Sequence, residues 1–425
     1  KDFLKMESKN IQNKLEVKYG LPSEVLFCKI CNITNQRPDS TNEFQHTPES
    51  KKTTINFNKN GICRACEHKE EQHEFIDWDV RDKELKDLCD RFRKKDGSYD
   101  CIVPGSGGKD SVYAAWKIKY EYGMNPLTVT WAPHLYTDVG WRNFNAWLHV
   151  GGFDNYLFTP NGKTHRLLTR MAVINLLHPF QPFIMGQKTF VKTMCNKFNI
   201  PLAFYGEMPG EYGSKAFKPG ASERTFSDAG TGFESISIDP MQLYFGGVSG
   251  KELINKHGLI KNDLLAYTPL DSQIEKDKKI EVHYLGYYVK WDPQECYYFS
   301  VDKIGFEANP VRTEGTYSKY NSLDDKIDGY FYYTSWIKFG MGRAMQDSAQ
   351  EIRNKKITTN EGKTLIKKFD GEFPKRYYNE FLIESSSIIR FSLFHLYSLI
   401  FLTSLLLSLD RIRNSPIKRE SQPLS

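Results

Sequence analysis

The chain lacks a strong charge of either sign: 58 Lys and Arg against 52 Asp and Glu leave a net +6 over 425 residues. That balance suits anionic ligands but not a nucleic-acid-coating surface, and no strong basic run occurs outside the tail. Repeats and low-complexity linkers are missing, which excludes solenoids and arrays. No secretory leader is visible, because Lys1 to Lys18 is charged throughout, and the body is expected to be cytoplasmic. Cysteine is sparse outside two short pairs: Cys89, Cys101, Cys195 and Cys296 are scattered, which excludes a secreted disulfide framework. A Walker A loop is also lacking, since Val103 stands where its first glycine belongs and Asp110, not Ser or Thr, follows Lys109.

What is present is Pro104-Gly105-Ser106-Gly107-Gly108-Lys109-Asp110-Ser111, between the apolar Tyr99–Val103 and a helical Val112–Tyr122. Glycines let backbone approach a ligand closely, and amides at the following helix start point at an anion. The run resembles the Ser-Gly-Gly-x-Asp-Ser signature of the PP-loop ATP pyrophosphatases, which cleave ATP between the α and β phosphates and adenylate a substrate. Further apolar bursts predict strands at Leu127–Trp131, Tyr156–Thr159, Phe183–Gly186 and Leu202–Gly206. Helices are expected at Trp141–Val150, Thr164–Leu177 and Thr189–Phe198. The alternation predicts an α/β fold, a parallel sheet with helices on both faces; the loop's resemblance implies that it is of the PP-loop, HUP-like or adenine nucleotide alpha hydrolase kind. Ligands of such sheets sit at the carboxyl ends of the strands. Another strand is possible at Val282–Tyr288, and amphipathic helices are expected at Arg81–Lys94 and Ala344–Lys355.

Cys28-x-x-Cys31 and Cys63-x-x-Cys66 make two knuckles whose four thiolates suit tetrahedral zinc in a closed, structural site. His46, His68 and His73 are the nearby alternative ligands; free thiols, a redox pair and an iron–sulfur cluster are the alternative states. The expected division is a lead-in (1–27), a zinc-ribbon-like module (28–75), a PP-loop core (76–214), a substrate-binding part (215–381) and a tail (382–425).

Four longer strings narrow the class. They are Tyr205–Gly213, Tyr284–Glu295, Gly305–Pro310 with Arg312–Tyr317 and Ser322–Gly329, and Ile337–Ala344 with Gln350–Arg353. With the knuckles, these resemble the N-acetyl sugar amidotransferases of bacterial surface-glycan synthesis, over roughly Leu26 to Phe381. The resemblance implies conversion of an acetamido group on a nucleotide-linked sugar into an acetamidino group, for O-antigen or for the nonulosonic acids of flagellin. It implies ATP and Mg²⁺, and ammonia from a separate glutaminase with a cyclase-like partner. On that reading Ser106, Gly107, Gly108 and Ser111 bind phosphates, Lys109 neutralises charge, Asp110 holds Mg²⁺, and Thr130, Trp131 and Gly186 border the nucleotide. Lys188, Glu207, Arg312, Lys319, Lys326 and Arg343 are the candidates for pyrophosphate or sugar nucleotide, and Lys109, Asp110, Lys188, Glu207 and Arg343 are the candidate catalytic residues.

Two other readings compete. A PP-loop tRNA thiolase also pairs this loop with zinc knuckles, but downstream of Ser111 only Cys195 and Cys296 remain for sulfur chemistry. A non-catalytic zinc-ribbon protein with a degenerate nucleotide fold is opposed by the intact loop. After Phe381 the resemblance stops, and Phe391–Leu409 carries no charged residue. That stretch is long enough to span a membrane, yet basic residues flank both ends, so a shifted reading frame is favoured over an anchor or a packed helix.

Overall fold

The computed structural model describes residues 19–38, 46–207 and 238–385. Residues 386–425 of the tail, the first part of the lead-in, the 208–213 end of the first string and the His73 side chain lie outside the described residues.

Five strands form one parallel sheet: β1 (Cys101–Pro104), β2 (Pro126–Trp131), β3 (Asn155–Phe158), β4 (Leu202–Tyr205) and β5 (Glu281–Tyr284). Their order is β3-β2-β1-β4-β5, with Cys101 opposite Pro126 and Ile102 opposite Ala203. The chain builds outward from β1 through β2 to β3, then returns to β4 on the other side of β1. The strand order therefore reverses at β1, which is where ligands of open parallel sheets bind.

The principal helices are α1 (Arg64–Glu74), α2 (Trp78–Phe92), α3 (Lys109–Trp116), α4 (Asp138–His149), α5 (Gly162–Leu176), α6 (Gln181–Phe198), α7 (Pro293–Ile304), α8 (Asp328–Phe339), α9 (Arg343–Arg353) and α10 (Thr359–Phe369). Strand alternation divides them between two faces. Ile102, Val129 and Trp131 point to one face, where Leu168 of α5 and Met185, Phe190 and Met194 of α6 cover them. Cys101 and Val103 point to the other, against Leu85 and Leu88 of α2, Val112 and Ala115 of α3, and Phe144 and Trp147 of α4. The sheet with helices on both faces is thus the fold that the alternating pattern predicts.

One predicted element is corrected. Phe183–Gly186 is not a strand but the first turns of α6, which Pro182 opens. The apolar burst is the buried stripe of that helix, and Gly186 is small because the Trp131 ring occupies the space of a β-carbon. The fifth strand is instead β5, from the stretch proposed at Val282–Tyr288, whose second half turns into the short helix Leu285–Tyr288. Residues beyond 215 therefore complete the sheet of the preceding segment. The amphipathic pattern at Arg81–Lys94 corresponds to α2, capped by the Asp77 carboxylate on Asp79 N and Val80 N.

Around the four cysteines a separate apolar cluster forms, in which Ile33, Ile55 and Ala65 pack with Met341, Met345, Ala349 and Ile352. No helix among the described residues is long and apolar enough to cross a membrane.

Candidate functional site

The glycine turn leaves β1 and is tied to β2 by Gly105 N donating to Val129 O at 3.0 Å. Gly107 has φ +83°, and a β-carbon there would lie 2.6 Å from Phe144 Cα, so only glycine fits. Helix α3 begins at Lys109 with Gly108 as its N-cap and no side-chain cap, which leaves first-turn amides directed at the turn. Ser111 Oγ donates to Gly108 O at 2.8 Å and holds the turn closed.

A cavity of about 270 Å³ opens at this end of the sheet. Pro104, Gly105, Ser106 and Ser111 form one wall, and Trp131, Phe183 and Phe190 form an aromatic side. Tyr205, Gly206 and Glu207 continue β4 into it, and Ser322, Asp324, Asp325, Asp328 and Arg343 form the opposite wall. Ser106 Oγ donates to Asp324 Oδ2 at 2.6 Å, joining the walls across 218 residues of chain.

The 322–328 segment is locked in place by the residues after β2. His134 donates its backbone N to Asp325 Oδ2 at 2.7 Å, and its Nδ1 lies 2.9 Å from the same oxygen. Lys326 N donates to Leu135 O at 2.9 Å, and Thr137 Oγ1 donates to Leu323 O. Burial pushes the Asp324 carboxyl up from its ordinary range and takes Asp328 to about 7, with the Arg343 charge opposing both shifts. Arg343 opens α9. Its Nε lies 2.9 Å from Asp347 Oδ1, one turn along, and its Nη1 donates to Tyr332 Oη. Thr316 Oγ1 donates to the other Asp347 oxygen at 2.6 Å, so the pair is held from two sides. The Asp370 carboxylate accepts from Gly342 N at 2.9 Å and Met345 N at 3.2 Å, capping the same helix.

Of the residues singled out from sequence, Ser106, Ser111, Trp131, Glu207 and Arg343 line the cavity. Gly107 and Gly108 shape the turn behind it. Lys109 and Asp110 pair with each other at 2.6 Å, and neither is among the lining residues. Thr130 turns to the opposite face of β2, where its Oγ1 accepts from Asn155 Nδ2 at 2.9 Å; Val129 and Trp131 take the cavity side. Gly186 packs under Trp131 in α6, and Lys188 sits one position past the lining residue Gln187, itself off the cavity. Arg312 makes a two-pronged ion pair with Glu372, at 2.6 and 2.8 Å, outside the cavity. Lys319 is exposed and donates to Pro310 O, and Lys326 points to Glu380 at 3.8 Å and the Tyr377 ring. Sequence reasoning missed Asp324, Asp325 and Asp328. The signal was present in Ser322–Gly329, where the lysine was chosen over its acidic neighbours.

The donor sets bear differently on the two kinds of metal. The four Sγ atoms of Cys28, Cys31, Cys63 and Cys66 lie within 4.8 Å of one another, all buried, with Cys28–Cys66 at 3.8 Å and Cys31–Cys63 at 3.6 Å. A tetrahedron with metal–sulfur bonds of about 2.3 Å has edges of about 3.8 Å, so the set fits zinc. Neither His46 nor His68 joins it, and burial takes His68 down to about 4. In the cavity, no three carboxylates of the described residues converge as the cysteines do. A hard cation there would need ligand oxygens besides one or two carboxylates, the usual arrangement for Mg²⁺ with phosphates.

One comparison with known proteins falls on the far wall. Residues 314–387 match the C-terminal domain of the LPS biosynthesis protein WbpG-like family, a span that contains Asp324, Asp325, Asp328 and Arg343. An 84-residue segment, 20% of the chain, is 34% identical to the uncharacterized protein MJ1599 of Methanocaldococcus jannaschii and spans 29% of that protein's length.

Proposed function

Proceeding from a C-terminal domain that belongs to the WbpG-like family of LPS biosynthesis proteins, we propose that the chain is an ATP-dependent amidotransferase of glycan biosynthesis. It adenylates the acetamido oxygen of a nucleotide-linked sugar and replaces that oxygen with nitrogen from ammonia. The observation that carries this reading is the junction of the two walls, where the glycine turn meets the family's own domain through Ser106 and Asp324.

The chemistry accounts for the need for ATP. An amide carbon is a poor electrophile and its oxygen a poor leaving group. Attack of the amide oxygen on the α-phosphorus breaks the α–β bond and releases pyrophosphate. Ammonia then adds to carbon, the carbon–oxygen bond breaks with loss of AMP, and the proton released from nitrogen is taken up by a base. The turn's amides supply donors for phosphate oxygens, the preorganised stabilisation such transfers require, and the Ser106 and Ser111 hydroxyls would join them by turning from Asp324 and Gly108 O. Arg343 faces them with a fixed positive charge. Asp328, with its carboxyl held near neutrality, has the proton affinity of a general base. Bound Mg²⁺ would offset phosphate charge, and Asp324 or Asp328 would hold it with the ligand's own oxygens. The aromatic side suits an adenine or a sugar face. Ammonia is taken to come from a separate glutaminase with a cyclase-like partner.

The test is product analysis with ATP, an ammonium salt and a panel of UDP- and CMP-linked acetamido sugars. The reading expects AMP and pyrophosphate, and a sugar in which NH has replaced oxygen. Pyrophosphate release that responds to tRNA and to no sugar would overturn it in favour of sulfur transfer. Against that alternative stands the placement of Cys101, Cys195 and Cys296, all buried and none lining the cavity.

A further inference from the structure

Helix α9 has two working faces. Arg343 and Asp347 lie one turn apart on the face that reaches the cavity and Tyr332. Met345, Ala349 and Ile352, spaced as a helical stripe, lie on another face and pack in one cluster with Cys28, Cys31, Cys63 and Cys66. The first knuckle also grips α10: Asn32 Nδ2 donates to Thr359 O, and Thr359 Oγ1 donates to Ile30 O, both at 2.8 Å. Asn32 holds a left-handed φ of +62° to do so. Helix α10 in turn packs on α9, with Gly362 placed against Ile352. The residues on both sides of Cys31 are thus fastened to the pair of helices whose first residue is Arg343.

We propose that the cysteine module is the mount of Arg343, so that filling of the four-cysteine centre positions this guanidinium and sets the cavity's affinity for a phosphate ligand. Met345, Ala349 and Ile352 are then positioning residues that act through the helix. The proposal rests on the reading of the cavity as a phosphate site and not on amidine formation. Packed elements of this kind transmit small shifts as rigid bodies, and an apolar seam is lost when its cysteine support opens.

Two readouts on the full chain test it. The first is amide hydrogen exchange before and after zinc removal by a chelator. Faster exchange over 343–347 with α3 (109–116) unchanged is expected; unchanged exchange over 343–347 overturns the proposal. If α3 loosens as well, Met345→Ala in the zinc-loaded protein replaces the chelator, and the same two results decide. The second is the affinity for α,β-methylene-ATP, whose bridge resists cleavage. Zinc removal should weaken binding by about tenfold, within the usual range of coupling between sites. Arg343→Ala should weaken the zinc-loaded protein similarly and the zinc-free protein no further. Fully additive losses overturn the mount. If exchange responds but wild type binds no nucleotide, the mount stands and the phosphate reading fails.

Discussion

The wall built by the glycine turn presents amides and two hydroxyls, whereas the wall built from residues 322–343 presents three carboxylates and a guanidinium. The first is made from adjacent residues whose backbone geometry alone creates donors, and it suits any phosphate. The second is assembled from a locked loop and the start of α9, and it carries the ionisable side chains. On the proposed function, the difference implies that nucleotide grip and substrate choice would be separately encoded, the first in a local turn and the second in the part matched by the WbpG-like domain.

Breaking the first wall should have the largest effect. Gly107→Ala forces a side chain into a left-handed backbone and against the Phe144 backbone at 2.6 Å. It should cost about 3–5 kcal/mol in urea unfolding and abolish pyrophosphate release. A stable, active variant would mean that the turn is not held as described. On the second wall, Arg343→Met leaves Asp347 buried without its cation, and about 3 kcal/mol should be lost. Adding Asp347→Asn should recover part of that stability but none of the ligand affinity, a split read by unfolding and nucleotide binding together.

The carboxylates sharpen the contrast through pH. Asp328 holds its proton up to about 7, against an ordinary value of 3.8 in the unfolded chain. Between those values the folded state binds more protons than the unfolded one. Stability contributed by the neutral acid is therefore complete below about pH 4 and is lost as pH rises through 7. Asp328→Asn should be more stable than wild type at pH 8, on the order of 2 kcal/mol after allowance for water at the cavity mouth. At pH 4 the two should unfold alike, and a constant difference across that range would contradict the assignment. The smallest effect expected is the coupling between the walls. In a double-mutant cycle, Ser106→Ala and Asp324→Ala should show an interaction of about 1–2 kcal/mol, and zero coupling would separate the walls.

Local patterns were legible in the sequence. The glycine turn and the cysteine knuckles announce themselves because their residues must be close in the chain to do their work. β1 to β4 could be read from apolar bursts at regular spacing. Phe183–Gly186 could not, since a short buried run looks alike in a strand and in a buried helix, and only Pro182 argued for the helix. Thr130 and Trp131 shared one expectation, but strand alternation allows only one of them on the cavity face. The far wall was least legible. Asp324, Asp325 and Asp328 come to the turn through tertiary contacts of the 322–328 segment with Ser106, His134, Leu135 and Thr137, and nothing in their local pattern separates them from Lys326, which faces away. Arg312 and Lys319 likewise look like ligands for an anion in sequence, while the fold gives them Glu372 and Pro310 O as partners.

The most direct test of the shared site is the identity of the nucleotide products formed by wild type and by Arg343→Ala with ammonium and an acetamido sugar nucleotide. AMP and pyrophosphate from wild type only when the sugar is present, and neither from the variant, is the predicted result. ADP and inorganic phosphate, or sugar-independent turnover that survives loss of Arg343, would contradict a single site built from both walls.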